Sequence, residues 1–146
     1  QQVLGSTDSK YLDQVIVMRP TSFKGEHEII MKLDAFLQQP KIGLIIVDTL
    51  SYFYRRLQKN RILLANRMLI SQVNTLRNYA SHVPVIVTNQ VYMDVETQQQ
   101  KMVGGDILLK SAQRLLEIQK DPRKIILKQP EQKTSLFTID ASGFRF

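Results

Sequence analysis

Three short apolar runs along the chain predict buried β-strands. They span residues 14–19, 42–48 and 84–89, and each is bounded by proline or polar residues. The run over 42–48 is continuous rather than alternating, which is typical of a parallel strand that is covered on both faces. Pro20 follows the first run, and Asp48 ends the second.

Helical spacing of apolar residues separates these runs. Residues 24–38 predict a helix that follows the candidate N-caps Thr21 and Ser22 and ends before Pro40. A short helical turn is predicted over 50–57 and a long helix over 61–81. The apolar stripes of the two longer helices are Ile29, Ile30, Leu33, Phe36 and Leu37, and Ile62, Ala65, Leu69, Val73, Leu76 and Ala80.

The last third of the chain has a different pattern. Residues 91–103 are polar and lack a period, so they predict a surface loop, which Gly104-Gly105 and a short helix to about Ser111 follow. Three short strands are then predicted, with tight connections at Asp121-Pro122 and around Pro130. These strands span residues 114–119, 124–128 and 135–140.

The order of strands and helices predicts an α/β fold. We expect a mostly parallel sheet flanked by helices, with antiparallel C-terminal strands on one edge. The 146 residues are a natural length for one domain. In such sheets ligands bind at the carboxyl ends of the strands, where Asp48 and the pair Asn89-Gln90 are expected to lie.

Composition excludes several classes of protein. With 43% hydrophobic residues the chain is able to bury a core, and no apolar run approaches the roughly 20 residues of a membrane span. The sequence has no cysteine, and the isolated His27 and His82 do not make a zinc site. These features indicate a soluble intracellular protein, cytoplasmic or, in a eukaryote, nuclear.

The net charge of +7 indicates an anionic partner such as nucleic acid, although a merely basic, solvated surface explains the total equally well. The distribution favours the nucleic acid. A solvated face normally mixes its signs, whereas every charged side chain between Asp48 and Asp94 is basic. These side chains are Arg55, Arg56, Lys59, Arg61, Arg67 and Arg77.

Asp48 and Gln90 are the candidate residues for nucleotide chemistry. A carboxylate at the end of a strand is well placed to hold a magnesium-bound water beside a triphosphate. The neutral amide of Gln90 is suited to bind a phosphate or an attacking water and to couple it to the following loop. A simple strand-end acid and ordinary turn chemistry are the alternatives. The sequence contains no Gly-rich phosphate loop that ends in Lys-Ser or Lys-Thr.

Residues 52–61 interleave aromatic and basic side chains. Basic side chains neutralise phosphates, and aromatic rings stack on unpaired bases. We expect Phe53 and one tyrosine to belong to the core, while the basic residues Arg55, Arg56, Lys59 and Arg61 point outward.

The polar residues 92–101 are the second predicted contact. Tyr92 is the candidate stacking ring, and Lys101 is the candidate phosphate contact. Asp94 and Glu96 oppose this assignment because they repel phosphates.

Taken in order, these motifs resemble the RecA-type recombinases, and more narrowly their archaeal and eukaryotic RadA branch. The segment Leu-Ile-Ile-Val-Asp-Thr-Leu-Ser at 44–51 resembles the Walker B strand and its exit. The segment Val-Ile-Val-Thr-Asn-Gln-Val at 85–91 is similar to the Ile-Thr-Asn-Gln-Val strand of that family. Gly104-Gly105 and Arg114-Leu115 resemble the exit from its second DNA-binding loop. The resemblance spans residues 42–146.

The departures from the family pattern narrow the resemblance. The Walker A loop and the catalytic glutamate, which lie upstream in the family, are not in this sequence, so we expect residues 1–146 to form a single RecA-like core domain without its N-terminal P-loop portion. Asn60 and Ile62 replace the usual glycines around Arg61, and the second loop is short. A short loop and a bare core resemble the RadB type of archaeal paralogue, an accessory protein with weak ATPase activity.

The resemblance implies roles for individual residues. Asp48 matches the Walker B magnesium acid, and Gln90 matches the residue that links the γ-phosphate to the second loop, so both are implied as catalytic and cofactor-binding positions. Single-stranded DNA contacts are implied at Arg55, Arg61 and Arg67, with Tyr92 and Lys101 near them. ATP and Mg²⁺ are implied as cofactors only if a P-loop exists upstream of this sequence.

These observations predict an accessory protein of DNA repair and homologous recombination that binds single-stranded DNA and has at most a weak DNA-dependent ATPase activity. The other expected partners are a recombinase or another repair protein and a second copy of the chain, but no membrane. The alternatives are an active RecA-fold ATPase that acts on a non-DNA partner, and a protein-interaction scaffold without nucleotide turnover. A scaffold has no need of unopposed positive charge, which favours the first hypothesis.

Overall fold

The computed structural model describes residues 9–37, 42–57, 62–98, 100–141 and 143–146. Contacts within the chain divide it into two compact units. One unit is Met18–Ser111, and the other combines Ala112–Phe146 with the described residues up to Val17. No helix in the described part of the chain is both long enough and apolar enough to cross a membrane.

The unit Met18–Ser111 alternates helices and strands. A 3-10 turn at Tyr54–Arg56 precedes its longest helix. Its helices are α1 (Phe23–Met31), α2 (Leu33–Leu37), α3 (Ile62–Tyr79) and α4 (Gly105–Ser111), and its strands are β1 (Ile45–Val47), β2 (Val85–Val87), β3 (Val91–Met93) and β4 (Gln100–Met102). Strands β1 and β2 pair in parallel, as predicted, and β3 pairs with β4 in antiparallel fashion.

The helices begin and end close to the predicted positions. Ser22 caps α1, since its Oγ accepts a hydrogen bond from the backbone N–H of Gly25 at 3.1 Å. The helix predicted over 24–38 is interrupted at Lys32, which separates α1 from α2. The predicted stop at Pro40 lies outside the described residues.

The core of this unit lies between the helices α1 and α3 and one face of the parallel strands. Ile45 and Val47 of β1 and Val85 of β2 pack against it. A fully buried aliphatic side chain, such as that of Leu50 or Leu69, stabilises the fold by roughly 1.5–3 kcal/mol. The buried residues of the core are Phe23, Ile30, Leu50, Ala65, Leu69, Val73 and Leu76.

The prediction that the strand over 42–48 is covered on both faces is wrong for the described residues. Ile46 and its register partner Ile86 remain 59% and 50% exposed. The described residues that pack on these strands contact the side chains of Ile45, Val47 and Val85, which alternate with the exposed ones. A continuous apolar run therefore does not show which face is covered.

The strand predicted over 14–19 is also absent. Ser9–Gln14 form a 3-10 helix instead, and the backbone N–H of Val15 donates to the Leu12 carbonyl at 3.0 Å. Val15, Ile16 and Val17 are more than half exposed. A strand requires a hydrogen-bonding neighbour, and none of the described strands pairs with this segment.

Residues 91–103, predicted as a surface loop, form the β3–β4 hairpin. The Asp94 carboxylate accepts hydrogen bonds from the backbone N–H groups of Glu96 and Thr97, both at 3.0 Å, and Gln98 has a positive φ of 51°. These features close the turn. Both strands are mostly exposed and contain polar as well as apolar residues. They therefore show neither the alternating nor the continuous apolar pattern by which a sequence predicts a strand.

The second unit is antiparallel, as predicted. Its strands are β5 (Leu115–Gln119), β6 (Lys124–Gln129), β7 (Lys133–Leu136), β8 (Thr138–Asp140) and β9 (Gly143–Arg145). Strands β5, β6 and β7 form one meander, and β8 pairs with β9. The predicted connections at Asp121-Pro122 and Pro130 fall between β5 and β6 and between β6 and β7.

The single strand predicted over 135–140 is divided in two. Phe137 separates β7 from β8 and is buried, with its ring centroid 4.9 Å from that of Phe144. Its backbone N–H donates to the Arg123 carbonyl at 3.2 Å. This bond extends the β6–β7 pairing by one residue, and the buried Phe137 ring packs against the partly exposed ring of Phe144 before β8 begins.

A polar pair is buried where α1 meets α3. Glu26 is 6% exposed and Gln72 is 0% exposed, and neither Glu26 Oε1 nor either amide atom of Gln72 has a hydrogen-bond partner. Burial raises the pKa of Glu26 to about 7, and the nearby Gln72 amide lowers this pKa by a smaller amount. The carboxyl group therefore keeps its proton over a range in which an exposed glutamate is charged.

Replacing Glu26 by Gln is expected to remove a pH dependence of stability. The pKa is 4.5 when the group is solvated and about 7 when it is buried, so the folded protein binds more protons between these values. The free energy of unfolding then falls as the pH rises from 4.5 through 7, by roughly 3 kcal/mol in total. Urea denaturation of the wild type and E26Q between these pH values measures the free energy of unfolding and its dependence on pH.

The exposed Glu28 on the same helix provides a matched control, since Glu28→Gln makes the same substitution at a position where the carboxylate is solvated. We expect E28Q to follow the pH dependence of the wild type. A wild-type pH dependence that survives in E26Q contradicts the assignment.

Candidate functional site

The parallel register of β1 and β2 makes both strands end at one edge. Val47 pairs with Val87, so Asp48 and Thr88 leave the sheet side by side. The Thr88 N–H donates to the Val47 carbonyl at 3.0 Å, and the Leu50 N–H donates to the Thr88 carbonyl at 3.4 Å. These bonds fix the positions of the two exits.

The Asp48 carboxylate lies at this edge and is exposed. Its Oδ1 accepts hydrogen bonds from the hydroxyl groups of Thr88 at 2.5 Å and of Thr49 at 3.5 Å. Both bonds leave the second carboxylate oxygen open to solvent or to a ligand. The role of Thr88 is missed by the sequence reasoning, although its signal is present: a hydroxyl directly follows the strand that neighbours the Asp48 strand.

Gln90 follows the end of β2 at the same edge, and its backbone contacts Ser51, which follows Asp48 in the chain. The Gln90 N–H lies 3.4 Å from the Oγ of the fully buried Ser51 and 2.9 Å from Asn89 Oδ1. Asn89 Nδ2 donates to the Val103 carbonyl at 2.8 Å, and the Val103 N–H donates to the Gln90 carbonyl at 3.1 Å. The chain around Gln90 is therefore bonded to the base of the β3–β4 hairpin.

The side-chain carbonyl of Gln90 is the unusual feature of this edge. Its Oε1 is buried and has no hydrogen-bond partner. A buried unpaired acceptor costs about 1–3 kcal/mol, which a donor from a bound water or ligand would recover. The structure thus brings the two predicted residues Asp48 and Gln90 to one sheet edge, one with an open carboxylate oxygen and the other with an unpaired amide oxygen.

These oxygen atoms suit a hydrated Mg²⁺ ion. Mg²⁺ is commonly bound by one or two carboxylates together with waters and substrate phosphates, and it prefers carboxylate, hydroxyl and carbonyl oxygens. Among the described residues no group of three or more His, Asp or Glu side chains is able to hold a metal alone. Asp48 fits such an ion as one ligand among waters, and not as part of a metal cage.

The segment that follows Asp48 separates its aromatic and basic side chains. Tyr54 packs edge-on against Phe23 with ring centroids 6.0 Å apart, and its hydroxyl donates to Asn66 Oδ1 at 2.5 Å. Phe53 packs against the core, while Arg55 and Arg56 are exposed. This arrangement agrees with the prediction that Phe53 and one tyrosine face inward.

Tyr52 is the tyrosine that stays outside. Both nearby arginines lie over its ring, with the Cζ atoms of Arg55 and Arg56 at 5.8 and 5.2 Å from the ring centroid. Arg56 Nη1 also donates to the Tyr52 hydroxyl at 3.1 Å. Guanidinium groups at this distance interact with the π face of the ring.

The remaining predicted contacts are placed less uniformly. Arg67 is exposed on α3, whereas Lys59 and Arg61 lie outside the described residues. Tyr92 and Lys101 are register partners in the β3–β4 hairpin and are both exposed.

The Lys101 ammonium forms an ion pair with Asp94. Hydrogen bonds from Lys101, and then from the Thr97 and Glu96 N–H groups, lower the pKa of Asp94 to about 2, and Asp94 in turn raises the pKa of Lys101. The positive charge of Lys101 is therefore compensated in this structure, as the opposing position of Asp94 in the sequence suggested.

Comparisons with known proteins agree with this architecture. The family model described as Rad51 matches residues 2–132. The DNA repair and recombination protein RadB of Methanococcoides burtonii is 28% identical over 99% of this chain and 69% of its own length. The protein of the same name from Methanoculleus marisnigri is 25% identical over 99% of this chain and 68% of its own length.

A solved structure shows the fold. The crystal structure of the RadB recombinase matches with a TM-score of 0.68 at 23% identity, and the match covers 97% of this chain and 67% of that chain. The predicted RecA-like α/β fold is confirmed.

The two roles of Asp94 in the hairpin are separable by substitution. Asp94→Asn is expected to keep the turn, since an amide oxygen also accepts from the N–H groups of Glu96 and Thr97, but to lose the ion pair with Lys101. Asp94→Ala loses both. Amide-proton temperature coefficients of Glu96 and Thr97 measured by NMR report the turn, and equal changes in both variants would contradict this separation.

Proposed function

The chain belongs to the Rad51 family, and from this membership we propose that it is a DNA repair and recombination protein that binds single-stranded DNA as an accessory to a recombinase. The observation that carries the proposal is the exposed pair Arg55 and Arg56, which follows the end of β1 in a stretch without acidic residues. The names of the relatives, which describe proteins of DNA repair and recombination, support it.

Arginines in this setting favour a phosphate backbone as ligand. A guanidinium group stays charged and offers a planar fork of donors that matches phosphate oxygens. No carboxylate from residues 49–93 competes for these donors. Arg67 on α3 adds a further exposed charge, and Lys59 and Arg61 are proposed from the sequence alone.

The second part of the proposal concerns the edge occupied by Asp48 and Gln90. Asp48 would hold a magnesium-bound water through its open oxygen, and the unpaired Gln90 Oε1 would accept a hydrogen bond from a water positioned for attack. Mg²⁺ and ATP would supply the phosphoryl chemistry. We propose at most a weak ATPase activity, to which a Gly-rich phosphate loop would have to contribute from outside residues 1–146.

The same family membership supports a proposal about partners and location. We propose that the protein acts with a recombinase or another repair protein, forms contacts with further copies of itself, and works in the cytoplasm.

Replacing Arg55 and Arg56 by Ala is expected to weaken single-stranded DNA binding and to flatten its salt dependence. Each lost phosphate contact reduces the slope of log K against log salt by about 0.7, so the double variant should lose about 1.4. Fluorescence anisotropy of a labelled oligonucleotide between about 50 and 200 mM salt measures both quantities. The variant Lys24→Ala with Lys110→Ala removes the same net charge from exposed positions on α1 and α4, outside the stretch without acidic residues, and serves as control. Equal slopes in all three proteins would remove the DNA role from this segment.

Asp48→Asn is expected to abolish any Mg²⁺-dependent ATP hydrolysis without weakening DNA binding. The amide keeps the shape of the side chain and its bond with Thr88 but removes the charge that attracts the ion. Phosphate release and oligonucleotide anisotropy are measured on the same preparations. Asp106→Asn, on the exposed surface of α4, is the matched control. Hydrolysis that persists in D48N would show that Asp48 has no role in the reaction and is only an acid at the end of a strand.

A further inference from the structure

The exposed surface of residues 52–57 combines two arginines with one exposed aromatic ring that both of them contact. Phe53 and Tyr54 pack against the core and are partly buried, so Tyr52, at 39% exposure, is the most exposed aromatic residue of this segment. Its ring already lies beneath Arg55 at 5.8 Å and Arg56 at 5.2 Å. A base that stacked on the ring face beneath these arginines would compete with guanidinium groups that the same ring attracts.

Tyr52 is itself held in place from two sides. The ring of Phe53 meets it edge-on, with centroids 5.0 Å apart and an interplanar angle of 82°. The hydroxyl accepts the hydrogen bond from Arg56 Nη1 at 3.1 Å. The backbone beneath is also fixed, since the N–H groups of Arg55 and Arg56 donate to the carbonyls of Ser51 and Phe53 at 3.1 Å each.

From this geometry we infer that Tyr52 is a positioning residue that holds Arg55 and Arg56 ready for the phosphate backbone and does not stack on bases. The inference rests on the proposed DNA binding and specifies what this segment recognises: a phosphodiester chain, irrespective of its bases. A free arginine loses rotamer freedom when it binds, and a ring that restricts it beforehand reduces this loss.

Substitution of Tyr52 is therefore expected to change DNA binding in a different way from substitution of the arginines. Removing the ring by Tyr52→Leu leaves both charges, so the salt slope should stay the same while the affinity falls by about tenfold at every salt concentration. Tyr52→Phe keeps the ring and loses only the hydrogen bond from Arg56, so it should retain most of the affinity. In a variant with Arg55→Lys and Arg56→Lys, Tyr52→Leu should have little further effect, because lysine has no planar group to stack.

The deciding experiment compares two oligonucleotides of equal length, one of thymidines and one that is abasic throughout, by competition against a labelled strand. If Tyr52 positions the arginines, Y52L loses the same factor on both, because both present the same phosphates. A loss confined to the thymidine strand would show that Tyr52 stacks on bases and would overturn the inference. Thermal unfolding of each variant confirms that it is folded.

The remaining outcomes separate this inference from the proposed function. If the wild type binds and the double alanine variant of Arg55 and Arg56 is weakened while Y52L is not, the positioning role is wrong and DNA binding stands. If the wild type binds neither oligonucleotide, the proposed function fails and the inference fails with it. A change in the salt slope of Y52L would also contradict the inference, because Tyr52 carries no charge and its removal leaves both arginine charges in place.

Discussion

The parallel pairing of β1 with β2 is the constraint on which the site depends. Its register places Asp48 beside Thr88, and the bonds from Thr88 to Val47 and from Leu50 to Thr88 continue the pairing past the ends of the strands. Leu50 is fully buried immediately afterwards, so the chain is anchored before it turns outward. A displacement of one residue between the strands would separate the carboxylate from its hydroxyl and would move the arginine segment as well.

Two exits from one sheet edge carry two different kinds of chemistry. The exit of β1 leads to Asp48 and then to the arginines, whereas the exit of β2 leads to Gln90 and then to the hairpin. The buried Ser51 hydroxyl joins the two exits through the Gln90 N–H, and Asn89 joins the second exit to Val103. A group that paired with Gln90 Oε1 would therefore act on a connected hydrogen-bonded framework, which is the physical requirement for coupling a ligand to a neighbouring loop.

The sequence pattern predicts what is encoded locally. The helix α3, the cap at Ser22 and the ends of β1 and β2 follow from periodicity and side-chain chemistry, and so does the placement of Asp48 and Gln90 at one edge. The errors concern features that depend on distant partners. The segment 14–19 has the composition of a strand but no neighbour among the described strands, and a continuous apolar run does not reveal which of its faces is covered. The sequence shows a hydroxyl at Thr88, but its contact with Asp48 depends on the register of the two strands, which the sequence alone does not give.

The aromatic residues show why composition alone does not define a binding surface. Interleaved tyrosines and arginines are equally compatible with stacking on bases and with contacts to phosphates. The geometry favours the contacts to phosphates, since Tyr54 packs against the core and two guanidinium groups lie over the Tyr52 ring. Because Lys101 in the hairpin is ion-paired with Asp94, it offers less net positive charge to an anionic ligand than the exposed arginines do. Contacts to phosphates fix the position of a nucleic-acid strand without reading its sequence, as the proposed binding of single-stranded DNA would require.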